Sequence, residues 1–135
     1  MNHSEYFPVT AAVIEKDGKI LIARKRSLFA KESWEFPGGK LEYNETLEEC
    51  LKREIREELA IEIEVGDFVC SNKHIIDCSK AITLYAYRAR YVSGTIALTD
   101  HEETRWVLPE DLMKYDYPDP DRMIAKEVVN IFKNS

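Results

Sequence analysis

The chain has 135 residues, with 19 basic and 25 acidic side chains and a net charge of −6 at pH 7. That balance argues against duplex nucleic acid or an anionic membrane as partner, since either demands a basic face. Met1 to Tyr6 holds no apolar run, nothing approaches the roughly 20 apolar residues that span a bilayer, and three cysteines suit reduced thiols better than a disulfide framework. The expectation is one domain over residues 1–135, long enough for a real core, in the cytoplasm.

In chain order, residues 9–15 are rich in Val, Ile and Ala, and Asp17-Gly18 is a two-residue hairpin signal before a second strand at 19–24. Residues 25–33 read as a basic loop containing Phe29, and Trp34, Glu35 and Phe36 as a short strand entering the Pro37-Gly38-Gly39 corner. Thr46 and Glu49 form a Thr-x-x-Glu capping box, which starts a helix at Leu47 that should run to about Leu59. Residues 61–65 alternate as a strand, Gly66-Asp67 breaks it, and 68–75 resume. The longest strand candidate is 82–91, with Thr83, Tyr85, Tyr87 and Ala89 on one face, and it turns at Ser93-Gly94. A short strand at 96–98, an acidic loop at 99–104, a last strand at 105–108 and a helical turn from Pro109 follow. Pro120, expected at the first helical position beside Asp119, opens a terminal helix with an apolar stripe of Met123, Ile124, Val128 and Ile131. Strands on both sides of a central helix, with a second helix at the end, predict an α/β fold with a mixed sheet between helices.

Within the central helix, Leu47, Cys50 and Leu51 share a face, and Glu54, Glu57 and Glu58 fall on the same side. Acids that continue an apolar stripe are expected to be partly buried and close together, where they raise one another's pKa or need a counter-charge. Oxygen ligands at i, i+3 and i+4 suit a hard divalent cation, which also draws phosphate-bearing substrates. A second spacing, Cys70, His74 and Cys78, is weaker as a zinc site. On a strand its members lie about 13 Å apart, too far for one ion.

Gly39, Glu45, Arg53, Glu54, Ile55, Glu57, Glu58 and Ile61 stand at the spacing of the Nudix signature, and the stretch resembles that family closely. Ala60 stands where the signature has Gly, the residue that permits a left-handed turn at the helix end. The resemblance implies an α/β/α sandwich and a Mg²⁺ or Mn²⁺ site built from Glu54, Glu57, Glu58 and the Gly38 carbonyl. Arg53 and Glu45 would orient those ligands. The KDGKILIARK, WEFPGGK, HEETRWV and PDPDRMIAK segments are similar to the MutT-like branch, including its CTP and modified-nucleotide pyrophosphohydrolases. That similarity implies hydrolysis of nucleoside triphosphates, oxidised ones such as 8-oxo-dGTP among them, to monophosphate and pyrophosphate. It makes Glu102 the loop acid that assists the metal and its water, with Glu57 the other candidate base. Asp121 would read the base edge, or only favour the helix dipole. Lys25 would donate to a carbonyl or phosphate. Trp34 and Phe36 would stack on the base, or belong to the core. Two other readings stay open: hydrolysis of ADP-ribose or a dinucleoside polyphosphate, and a nucleotide sensor without turnover. The subunit is expected as a monomer or homodimer.

Overall fold

The computed structural model describes residues 6–25 and 33–135. The start of the leader and most of the expected 25–33 loop, Phe29 included, lie outside the described residues. Phe7–Lys16 forms β1 and Lys19–Lys25 forms β2, joined by Asp17 and Gly18 with φ of 51° and 77°. Positive φ at both turn residues is what a tight two-residue hairpin requires. The strands pair only at Glu15–Ile20 and Lys16–Lys19 and then separate.

What enters the gap decides where the site lies. Trp34–Glu35 (β3) pairs antiparallel with β2, and the residues that follow turn to β1 instead. There Ala12 N–H donates to the Pro37 carbonyl and Thr10 N–H to the Gly39 carbonyl, each at 2.8 Å. Carbonyls alternate in direction along extended chain, so the Gly38 carbonyl between them faces away from β1. The remaining strands are β4 (Glu62–Asp77), β5 (Lys80–Ser93) and β6 (His101–Val107). β5 runs parallel to β1, β4 is antiparallel to β5 at the edge, and β6 is antiparallel to β2. The sheet is therefore mixed.

Period-two alternation divides its faces. Ala12, Ile14, Leu21 and Ala89 pack under α1 (Leu47–Leu59), which buries Leu51, Ile55 and Leu59. On the other side Ala11, Val13, Ile20, Ile22, Leu84 and Ala86 meet Ile124, Ala125 and Val128 of α2 (Asp119–Lys133) and Leu112 of the 3-10 turn Pro109–Lys114. Each Val, Leu or Ile among them contributes on the order of 2 kcal/mol by leaving water. The result is the expected α/β/α sandwich.

Several local expectations change. Residues 62–77 are one strand, because Gly66-Asp67 is absorbed as a bulge between Val65 and Phe68. Residues 96–98 are not a strand: Ala97 N–H donates to Leu59 O at 3.0 Å, so this stretch serves the carbonyl end of α1. The expected loop at 99–104 becomes strand from His101 onward. Met123 stays exposed, and Pro120 takes the second helical position. Ala60 ends α1 with φ 60° and ψ 28°, the left-handed conformation that the missing Gly would favour.

Candidate active site

The carboxylates of α1 are positioned by its start. Thr46 Oγ1 accepts from Glu49 N–H at 3.1 Å and Glu49 Oε1 accepts from Thr46 N–H at 2.8 Å, a complete capping box that fixes the helix phase. The buried face holds Cys50, Leu51, Ile55, Glu58 and Leu59. Hence only Glu58 lies on the apolar stripe. The Glu54 side chain is 18% exposed, and that of Glu57 is 60% exposed, a correction to the expectation that all three are partly buried. They form a gradient from core to solvent across the helix flank.

Nor are they without a local cation. Arg53 Nε donates to Glu45 Oε2 at 2.7 Å, one terminal nitrogen reaches Glu54 at 2.9 Å and Glu57 at 3.2 Å, and the other donates to the Lys40 carbonyl at 3.0 Å. A planar guanidinium can serve all of these at once, and a lysine cannot. Hydrogen bonds from Arg53 and the Glu42 N–H hold Glu45 down to about 2. Glu54 is shifted upward by burial, against the pull of Arg53. Arg53 and Glu45 thus brace the acids and tie them to the glycine corner.

Both glycines there are places of close approach. A Cβ on Gly38 would run into the Thr10 carbonyl, and one on Gly39 into the Glu54 carboxylate. Burial pushes Glu58 up to about 7, with His101 opposing the shift. Its Oε1 is buried without a hydrogen-bond partner. A buried carboxylate oxygen left bare, beside two further carboxylates and a carbonyl aimed away from β1, fits a hard cation. Among the described residues, the ligand atoms gathered within 4.8 Å of one another are those of Glu35, Glu58 and His101, a group that Glu54 and Glu57 do not join.

Behind the glycine corner, on the α2 side of the sheet, is a cavity of about 370 Å³. Lys25, Glu35, Phe36, Gly38, Gly39 and Asp121 are among its lining residues, with Lys40 and Lys80. Asp121 Oδ2 accepts from Phe36 N–H at 3.0 Å, and burial pushes its carboxyl up to about 7. Its carboxylate therefore ties α2 to the end of β3, a role that neither base reading nor helix capping anticipated. Lys25 Nζ lies 3.8 Å from Glu35 Oε1. Phe36 stacks on Tyr117 with ring centroids 5.7 Å apart. Trp34 is 3% exposed, held edge-on by Tyr115 and covered by Arg105, and it is not among the cavity's lining. Its side chain belongs to the core.

Glu102 is also placed differently. The β2–β6 register passes from Arg24–Glu103 to Lys25–His101, so Glu102 is the extra residue of a bulge. It accepts from Arg24 at 3.0 Å, while His101 turns inward with its side chain 0% exposed. The residues that the sequence reading passed over are Glu35 and His101. Glu35 could have been noticed as an acid between buried Trp34 and Phe36, whereas His101, expected in an acidic loop, carries no signal in the sequence.

This split sheet, with a carboxylate helix beside a glycine corner, belongs to a recognisable class. The NUDIX domain model matches residues 7–127, and the chain belongs to the Nudix family of hydrolases. It is 39% identical to a CTP pyrophosphohydrolase of Escherichia coli over 108 residues, 79% of either chain. It is 30% identical to an 8-oxo-dGTP diphosphatase of Buchnera aphidicola over 125 residues, 92% of this chain and 94% of that one. The solution structure of the E. coli ORF135 protein superposes with a TM-score of 0.83 at 33% identity, covering 94% of this chain and 91% of that one. A MutT NUDIX hydrolase from Burkholderia pseudomallei gives 0.74 at 27%, covering 93% and 99%. No helix among the described residues is long and apolar enough to cross a membrane.

Proposed function

We propose that the protein hydrolyses nucleoside triphosphates, cytidine and oxidised guanine nucleotides foremost, to monophosphate and pyrophosphate. One observation carries this reading: the cavity and the acidic flank of α1 share the Gly38-Gly39 corner, so a base in the cavity lays its phosphates toward Glu54, Glu57 and Glu58. Cytosine and 8-oxoguanine each offer N–H donors to the Asp121 carboxylate and a carbonyl to Lys25. Lys40 and Lys80 lie near enough for Lys80 to pull the Lys40 pKa down, and a phosphate between them relieves that repulsion.

Glu54, Glu57, Glu58 and the Gly38 carbonyl would hold Mg²⁺ or Mn²⁺. When bound, the cation neutralises phosphate oxygens and makes water a better nucleophile. Glu57 is the acid best exposed to take the proton from that water as it attacks the β-phosphorus. Glu102, paired with Arg24 as Glu57 is with Arg53, is the other candidate base. Arg53 and Glu45 keep the carboxylates from drifting into solvent.

The test is pyrophosphate release across canonical, methylated and oxidised nucleotides, with chromatographic detection of nucleotide products for ADP-ribose and a dinucleoside polyphosphate, whose hydrolysis releases no pyrophosphate. Glu57→Gln should lower kcat by at least about 10²-fold with the fold intact. Full activity in excess EDTA, or near-native turnover of that variant, sinks the mechanism. Equal kcat/KM for ADP-ribose and the triphosphates sinks the substrate assignment.

A further inference from the structure

His101 stands where the carboxylate helix and the cavity wall meet. Its side chain is wholly buried, yet Nε2 lies 3.2 Å from Glu35 Oε2 and 3.6 Å from Glu58 Oε2. Carboxylate oxygens only accept, so Nε2 carries the proton. The opposite ring nitrogen, Nδ1, is buried without a partner, and a bare lone pair is the less costly group to leave there. One N–H therefore faces two carboxylates, one from α1 and one from β3. Glu35 lines the cavity and meets Lys25, whereas Glu58 keeps its Oε1 buried without a hydrogen-bond partner.

We propose that His101 is a positioning residue that holds the Glu58 carboxylate with Oε1 turned to the cation and joins the metal centre to the substrate cavity through Glu35. Three features of the fold support it. The β6 bulge at Glu102 is what turns His101 inward, opposite the end of β2. Both Glu35 and Glu58 are anchored on regular elements, so the imidazole spans fixed points. Without its donor, two neighbouring carboxylates would repel each other, and Glu58 would rotate away from Glu35. Partners that orient ligands in this way are worth about 10–100-fold in metal affinity.

The inference rests on the proposed metal-binding role of Glu58, and Mn²⁺ titration of the nucleotide-free protein by electron paramagnetic resonance tests the two separately. His101→Leu removes the donor, and His101→Gln keeps an N–H at nearly the Nε2 position. The expected result is an Mn²⁺ Kd raised about tenfold or more in His101→Leu and within threefold of native in His101→Gln. In a Glu58→Gln background His101→Leu should weaken Mn²⁺ no further, because its effect passes through Glu58. In turnover, half-saturating Mg²⁺ should rise with the Mn²⁺ Kd while KM for nucleotide at saturating Mg²⁺ moves less than threefold. If His101→Leu does not fold, His101→Asn, whose shorter amide cannot reach both acids, takes its place.

Native Mn²⁺ affinity in a folded His101→Leu or His101→Asn overturns the inference while leaving the metal site standing. So does an equal loss in the native and Glu58→Gln backgrounds, or no recovery in a folded His101→Gln. Absence of Mn²⁺ binding by the native protein overturns the metal site and the inference together.

Discussion

The acidic flank of α1 and the cavity on the other side of Gly38-Gly39, which the proposed reaction joins, are built in opposite ways. The flank is local: a capping box, an arginine fork and three glutamates all lie in residues 39–58, where helix geometry alone sets their spacing. The cavity draws its wall from all strands but β6 and from the start of α2. Local construction gives a site that tolerates little change, because every member would act on the same cation. Distributed construction lets individual positions tune substrate choice. Perturbing one region should therefore cost activity, and perturbing the other should alter preference.

The largest effect is expected where the two regions touch. Gly39→Ala drives a methyl group into the Glu54 carboxylate, so kcat should fall by about 10²-fold or more for every nucleotide alike. Steady-state kinetics on two bases check it, and a loss confined to one base would break the comparison.

A smaller, selective effect belongs to Asp121. Asp121→Asn adds an amide donor, and the kcat/KM ratio between cytosine and guanine nucleotides should move by about tenfold. Stability adds a separate handle. Because the folded Asp121 carboxyl sits at about 7, above its ordinary range, the native protein holds a proton that the unfolded chain has already lost. That contribution is complete below the unfolded pKa and disappears as pH rises through about 7. Asp121→Asn should therefore gain about 2 kcal/mol relative to native between pH 5 and pH 8. Urea unfolding at the two values measures it, and an unchanged difference removes the buried-carboxyl account.

The smallest effect lies away from both regions. Ala60 is held left-handed at the end of α1, so Ala60→Gly should stabilise the protein by about 1 kcal/mol and leave kcat/KM unchanged. A urea midpoint that stays put or falls would show that the chain accommodates Ala60 without strain.

The sequence alone determined the parts that short-range rules govern. Thr46 and Glu49 set the start of α1, Asp17-Gly18 set the hairpin, and the spacing of Glu54, Glu57 and Glu58 set one helix side, since each depends on neighbours within about one turn. Tertiary structure decided the rest. Whether Glu57 meets solvent or core depends on how α1 rolls on the sheet, and whether Glu102 or His101 points inward depends on a bulge in pairing with a strand far away in sequence. Trp34 could not be told from a base platform until Tyr115 and Arg105 closed over it. Asp121 gained its partner only when α2 docked beside β3, because Phe36 N–H and Asp121 are 85 residues apart. Contacts of that range leave no periodic trace in the chain, so only packing fixes them.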